Sequence, residues 1–460
     1  MQIHSFIDNS FYQSESKFIK YNPYTLEKLH EVSNCDLVGL ITAIQSSNKA
    51  FQLWKHSSRA DRLSLVEKIQ AQITTKQDEY AKLEALDQGL PLVFVKKNSI
   101  DLLLKNIQEI KTQGSQTQNF QYSPVGVIVI VASWNLSLRV ILDRLIPALI
   151  AGNSVIIKVS SASPVTAAIL TEIILAVDAP KGLINIITTD DKEVKKTLIC
   201  HPGVKAISFT GSSENSTEIL PLITQASLQN LKKFQISSGS KNSAVVIGEP
   251  HDDSFVSIMS SFLAGQGQLA WSSSRLFILE KYEQQWEEKI KNYLELLRPS
   301  EGVEDDSLWT PCIKKNSFAK FDEIKHLAYE DKAKLLQSSF VLTDFQKKSF
   351  LPTIFTKDMS RCSTLQQDQV HAPFYILSTV KYPFDVPKYS NVSYFGFAAH
   401  LWGDAEKLAK IASELDVGLV TYNKSSVEVS GAFAAVKQSG YGLQDFQSFG
   451  AFFSNVKKIT

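Results

Sequence analysis

From residue 125 onward this chain alternates short β-branched, apolar runs with longer stretches at helical spacing, and that alternation narrows the possible folds more than any other feature. Residues 126–132, 154–159, 183–188, 204–210 and 244–247 read as strands, and the pieces between them read as helices. A strand that is apolar on both faces needs cover on both, so the pattern predicts a parallel sheet with helices on either side, the doubly wound α/β arrangement. Ligands of such sheets sit beyond the carboxyl ends of the strands. A second α/β region is expected over 236–440, with strands at 275–279, 375–380 and 418–422 and a helix over 282–297.

Before the alternation begins, a polar entry ends near Asn22-Pro23 and two helices follow. The first opens near Asp36 and places Leu40, Ala43, Ile44, Ser47, Ala50, Phe51 and Trp54 at helical spacing. The second starts near Ala60 and carries the stripe Leu65, Val66, Ile69 and Ile73. Two weakly alternating segments, 119–122 and 449–459, have no core of their own and are expected to pair with another sheet edge, in the same chain or in a partner subunit.

With 460 residues the chain exceeds the prior of about 150 residues per domain, so two or three domains are expected. Lys plus Arg (48) nearly cancel Asp plus Glu (47), which leaves neither a basic stripe for a nucleic-acid backbone nor an acidic tail. Cys35, Cys200, Cys312 and Cys362 lie far apart without metal-ligand spacing, a pattern that fits a reducing compartment and indicates neither disulfides nor a metal. The amino terminus lacks a basic patch followed by an apolar stretch, and the longest apolar run, 125–132, is far short of the roughly 20 residues that cross a bilayer. A cytoplasmic protein with no membrane or nucleic-acid partner is expected.

Six motifs, in order, span nearly the whole chain: Ser133-Trp134-Asn135-Leu136-Ser137, Pro147-Ala148-Leu149-Ile150-Ala151-Gly152-Asn153, Phe209-Thr210-Gly211-Ser212, Gly267-Gln268 with Arg275, Leu351-Pro352-Thr353, and Lys437-Gln438-Ser439-Gly440-Tyr441-Gly442. Together they resemble the NAD(P)-dependent aldehyde dehydrogenase superfamily. The short length and the ending Ala434-Ala435-Val436-Lys437-Gln438-Ser439-Gly440 look most like its short bacterial succinate-semialdehyde dehydrogenase branch. The resemblance implies an aldehyde dehydrogenase-like fold with a dinucleotide-binding-type domain over 1–111 and 125–235 and a catalytic-type domain over 236–440. It also implies a small β oligomerisation arm from 112–124 and 441–460, and assembly as a homodimer or homotetramer.

In that family a cysteine thiolate attacks the aldehyde, an amide holds the resulting oxyanion, hydride passes to the nicotinamide, and a glutamate-activated water hydrolyses the thioester. The amide donor persists here as Asn135, beside Trp134; the competing reading of Asn135 is a cap for the helix that follows. The nucleophile does not persist, because Gly267-Gln268-Leu269-Ala270 puts a methyl group where the sulfur is expected. Ser272, Ser273 and Ser274 read as a hydroxyl-rich turn or helix start rather than a replacement. The base position is Ser237, in Ile236-Ser237-Ser238-Gly239-Ser240, and a serine offers no charge to accept a proton near neutral pH.

On the cofactor side, Lys158 fits the lysine that contacts the adenosine ribose, but Ser160-Ser161 replace the glutamate that follows it, which leaves NAD, NADP or neither open. Gly211-Ser212 keeps the turn that approaches the pyrophosphate, while Ser216 stands where a glycine is expected. Gln369 replaces the glutamate directed at the nicotinamide ribose, and the neighbouring His371 reads as an ordinary loop histidine. Phe433-Ala434-Ala435 replaces a Phe-Gly-Gly. Arg139 and Arg144 either meet a substrate carboxylate or, for Arg144, take the structural place of a lysine on that helix.

Loss concentrated at the reacting groups implies a pseudoenzyme unable to perform thiol-dependent aldehyde oxidation. The alternative is an active NAD(P)-dependent aldehyde or semialdehyde oxidoreductase that dispenses with the covalent step and uses Asn135 to hold the oxygen. The partners implied are a small-molecule aldehyde or a nucleotide.

Overall fold

The computed structural model describes residues 1–112, 120–228, 230–313, 316–424, 434–442 and 451–459. The chain forms two compact units, one made of Met1–Gln88, Leu92–Ser237 and Gly442–Thr460, the other of Gly89–Pro91 and Ser238–Tyr441.

The first unit opens with five short strands, β1 (Gln2–Ile3), β2 (Ser5–Ile7), β3 (Ser10–Tyr12), β4 (Lys17–Tyr21) and β5 (Lys28–Ser33). The polar entry read from the sequence, to which no element was assigned, thus carries strands. The strands are two to six residues long and carry Ser, Lys and Tyr, so they lack the continuous apolar runs that announce the later ones. They pair mainly with one another, β2 with β3, β4 with β5 and β1 with β5, and β2 also adds antiparallel to the main sheet. Two helices follow, Leu37–Trp54 and Arg59–Thr75. Asp36 caps the first by accepting from Gly39 N, and Ser58 closes a capping box with Asp61 on the second.

After β6 (Phe120–Pro124) come β7 (Val127–Val131), β8 (Ser154–Lys158), β9 (Ile184–Ile187), β10 (Val204–Thr210) and β11 (Lys233–Ser237). Within this unit the sheet runs β11-β10-β7-β8-β9-β2-β3 and is parallel from β11 through β9. Val127, Val129 and Ile156 pack with Leu40 and Ile44 of the first helix and Leu198 of helix Lys192–Cys200. The alternate residues Ile128, Ile130, Val155 and Ile157 are equally buried, so both faces are covered, as the apolar runs require. Strand β11 escapes a sequence reading because Gln235 interrupts its apolar face; its amide is absorbed by a 2.7 Å bond to Ser208 Oγ.

The second unit repeats the layering. Its sheet is built from β12 (Asn242–Val246), β13 (Ser273–Leu279), β14 (Lys334–Gln337), β15 (Ile354–Lys357), β16 (Phe374–Val380), β18 (Ala398–Trp402) and β19 (Leu419–Tyr422), in the order β14-β15-β16-β13-β12-β18-β19. β17 (Phe395–Gly396) pairs with β20 (Val436–Lys437), and β21 spans Gly440–Tyr441. Helices Asp252–Leu263 and Glu283–Leu296 pack on one face through Phe255, Phe262, Trp286 and Ile290, and Leu408 and Ile411 of helix Ala405–Ala412 cover the other.

The chain returns to the first unit at Gly442 and ends in β22 (Ser454–Lys458), antiparallel to β6. The two weakly alternating segments therefore find each other, although Asn119, Phe449 and Gly450 lie outside the described residues. Asn153, fully buried, anchors this corner. Its Oδ1 accepts from Val125 N at 2.8 Å and Gly126 N at 2.9 Å, and its Nδ2 donates to Ala148 O at 3.1 Å and Phe453 O at 2.9 Å. Among the described residues no helix is long and apolar enough to cross a membrane.

Candidate functional site

In the first unit the chain proceeds from β7 outward through β8 and β9, then returns to place β10 on the other side of β7. Strand order reverses there, and the crevice at such a switch point is where open α/β sheets receive ligands. The register lines up the expected residues along this carboxyl edge: Lys158 ends β8 opposite Val131, Trp134 and Asn135 follow β7, Gly211 and Ser212 follow β10, and Ser237 ends β11 opposite Thr210. Gly211 N donates to Ser237 O at 3.1 Å. The structure thus brings Trp134, Asn135, Lys158, Gly211, Ser212 and Ser237 to one edge, whereas Ala270 and Gln369 belong to the other unit.

Asn135 is 7 % exposed and does not cap the helix after it. The cap position of Ser137–Ile150 is Leu136, in the left-handed region at φ 44° and ψ 47°, with no side-chain cap bond. The Asn135 amide makes no hydrogen bond to the described residues. Lys158 is buried, and burial, joined by the nearby charge of Lys195, brings its ammonium down to about 7. Ser212 caps helix Ser213–Ser227 by accepting from Asn215 N at 3.3 Å, and a helix amino end at such an edge is the usual seat of a phosphate. Ser216 donates to Ser213 O at 2.7 Å and is buried in its own helix. Arg139 ion-pairs with Asp143 at 3.4 Å and donates to Asn98 O, and the buried Arg144 donates to Val140 O on its own helix.

In the second unit the backbone approaches Ala270 through three consecutive left-handed residues, Gly265, Gln266 and Gly267, with φ of 63°, 56° and 67°. The loop is then fixed by a residue the sequence reading missed. Asn242 Nδ2 donates to the carbonyls of Ala270 and Ser272, both at 2.9 Å, and its Oδ1 accepts from Ala398 N at 3.0 Å. His400, completely buried, closes the far side: its ring nitrogens lie 2.8 Å from Thr421 Oγ1 and 3.2 Å from Trp271 O, and burial drops its pKa to about 4, which keeps it neutral. Ser272 Oγ donates to Ala264 O, Ser273 Oγ is bonded to Ser261 Oγ and Ser274 Oγ donates to Asn242 O. All three hydroxyls are thereby engaged, and Ser273 and Ser274 open β13 instead of a turn or a helix. Cys312 sits in a core cluster with Phe321, Leu351 and Phe374, and burial pushes its thiol up to about 12, far from the thiolate a nucleophile requires.

Gln369 lies against Gly239, where a β-carbon would come within 2.2 Å of its Oε1. Arg275 stitches the two segments together, donating to Lys241 O at 2.8 Å and Gln366 O at 3.2 Å. Lys241 is 2 % exposed, its amine has no hydrogen-bond partner among the described residues, and burial followed by the charge of Arg275 brings it down to about 7. Nothing in the local sequence distinguishes this lysine from a surface one. Phe433 lies outside the described residues.

The aldehyde dehydrogenase family model matches residues 11–459. The mouse (Mus musculus) 2-aminomuconic semialdehyde dehydrogenase is 28% identical over 492 residues, covering 100% of this chain and 98% of that protein. Retinaldehyde dehydrogenase 3 of Mus musculus is 26% identical over 477 residues, covering 99% and 92%. The aldehyde dehydrogenase KauB from Pseudomonas aeruginosa superimposes with a TM-score of 0.90 at 20% identity, covering 100% of this chain and 97% of that one. The P. syringae indole-3-acetaldehyde dehydrogenase AldA, a cysteine-to-alanine mutant in complex with NAD+ and IAA, gives the same TM-score of 0.90 at 20% identity, covering 100% and 97%. The α/β architecture is the one these enzymes share, and the chain belongs to the aldehyde dehydrogenase family.

Proposed function

We propose that this family member is a pseudoenzyme for thiol-dependent aldehyde oxidation. One observation carries the reading: Asn242 holds the carbonyls of Ala270 and Ser272, the side chain at 270 is only a methyl group, and the hydroxyls of Ser272, Ser273 and Ser274 are engaged within the same unit. A thiohemiacetal needs a nucleophilic atom that Ala270 lacks, and the position read as the base, Ser237, holds no carboxylate. Length and the 434–440 ending support the short bacterial succinate-semialdehyde dehydrogenase branch. We place the protein in the cytoplasm, on four well separated cysteines that fit a reducing compartment.

The first unit is the dinucleotide-binding-type domain in this reading, the second the catalytic-type domain, and the β6–β22 ribbon the oligomerisation arm of a homodimer or homotetramer. A dinucleotide fits the carboxyl edge in part. Lys158 would meet its adenosine ribose and the amino end of helix Ser213–Ser227 its pyrophosphate, whereas Ser160 and Ser161 bring no carboxylate to prefer a free 2′-hydroxyl. NAD or NADP, when bound, supplies the hydride acceptor. The test is steady-state oxidation of short aldehydes and acid semialdehydes with either nucleotide by the purified chain. The expected result is no turnover above background, and rates near the enzyme median of about 10 s⁻¹ would sink the proposal.

The unengaged amide of Asn135 favours a second reading, hydride exchange with a carbonyl held non-covalently. Aldehyde reduction driven by NADH or NADPH, without covalent labelling of the protein, would distinguish it.

A further inference from the structure

Among the described residues the Asn135 amide has no partner, and side chains of another helix make the bonds a cap would otherwise make. The turn requires Leu136 in the left-handed region, a conformation that residues with a branched side chain avoid unless their surroundings hold it. Helix Gln77–Gln88 supplies the hold. Gln88 Oε1 accepts from Leu136 N at 2.9 Å and Glu84 Oε1 accepts from Leu138 N at 2.8 Å, satisfying two N–H groups at the start of helix Ser137–Ile150.

The pair is itself braced. Gln88 Nε2 donates to Glu84 Oε1 at 3.0 Å and to Ser163 Oγ at 3.2 Å, and Ser99 Oγ donates to Glu84 Oε2 at 2.6 Å. Both side chains are inaccessible to water, and burial raises the Glu84 carboxyl above its ordinary range against the pull of these bonds. A network this closed leaves Gln88 one orientation, with its carbonyl oxygen on the Asn135-Leu136 turn.

We propose that Gln88, braced by Glu84, is the positioning residue for Asn135: it holds the left-handed turn so that the Asn135 amide stays available to a carbonyl or carboxylate oxygen at the carboxyl edge of the sheet. The proposal rests on reading Asn135 as the retained oxygen-binding amide, and does not depend on whether the chain turns over aldehyde.

The experiment compares the full-length protein with Gln88→Met, Glu84→Met, Ser163→Ala and Gln88→Glu. Two readouts are followed: amide hydrogen exchange over residues 133–138, and the side-chain amide signal of Asn135 in protein labelled with ¹⁵N-asparagine, assigned by its loss in Asn135→Ala. Gln88→Met is expected to speed exchange at 136–138 by about fivefold, the loss of one net hydrogen bond, and to shift or broaden the Asn135 signal. Ser163→Ala removes only the far brace and is expected to leave that signal in place. Gln88→Glu keeps the acceptor and shares a proton with Glu84, so it is expected to retain wild-type behaviour in both readouts.

Unchanged exchange and an unmoved Asn135 signal in Gln88→Met overturn the proposal, as does a Ser163→Ala variant that reproduces the full effect. If Gln88→Met does not fold, Glu84→Met decides in the same terms. Aldehyde turnover, which decides the pseudoenzyme reading, enters neither readout.

Discussion

Asn242 donates to the carbonyls of Ala270 and Ser272 and accepts from Ala398 N, so the loop after residue 270 and the start of β18 are held through backbone groups rather than through the side chain that residue 270 carries. Substituting Asn242→Ala leaves two carbonyls and one N–H without their partner, and we expect a loss of about 3 kcal/mol in urea unfolding monitored by tryptophan fluorescence. Restoring chemistry is a separate matter. Ala270→Cys alone is expected to give a burst of about one NADH or NADPH per chain and then stall, because a missing base slows hydrolysis by about 10² to 10⁴. Adding Ser237→Glu should convert the burst into turnover; a stopped-flow trace without a burst in either variant would show that more than these two groups has been lost. The identities at 135, 237 and 270 were legible in the sequence, since a residue type declares what chemistry it lacks. Whether Asn135 was committed to a helix cap was not, because that depends on Leu136 taking the left-handed position and Gln88 reaching it from another helix.

Elements whose apolar pattern is strong were found where the sequence put them: β7, β8, β9 and β10, and the helices capped by Asp36 and Ser58. The five amino-terminal strands were missed because they are short and polar: they pair mainly with one another, and β2 alone joins the edge of the larger sheet, so no long apolar run announces them. Single buried side chains hold several of these junctions. Asn153→Ala removes four bonds at the corner where β7 begins and the carboxyl-terminal segment docks, and should expose β22 to limited proteolysis while leaving residues 238–424 resistant. His400 makes the junction of β18 with the residue 271 turn sensitive to acid. Its imidazole stays neutral in the fold down to about 4 but titrates near 6.5 when unfolded, so the unfolded chain binds the proton first and stability drops as pH falls through that interval. Burial lowers His30 to about 4 as well, adding a slope of the same sign, while Asp87, raised to about 6, opposes it. Urea midpoints measured between pH 7 and 4 should therefore fall less steeply in His400→Gln than in the unmodified protein.

Over the whole molecule, two α/β units each cover a sheet on both faces, and the ribbon of β6 and β22 is the part with the least core of its own. Ending the chain after Phe453 removes β22 and leaves β6 as an unpaired edge. If the ribbon joins subunits, light scattering should report a monomer for the truncated chain and a dimer or tetramer for the intact one; an unchanged mass would remove the arm from the assembly. The sequence by itself determined that buried parallel strands alternate with helices, and it determined which side-chain chemistry stands at 135, 237 and 270, because hydrophobic period and side-chain chemistry are local properties. The tertiary structure alone decided that β10 returns beside β7 to make a switch point, and that Asn135 remains unengaged while Ser272, Ser273 and Ser274 do not. Hydrogen-bond partners are shared out only when segments far apart in the chain meet, so which polar group stays available is a property of the packing.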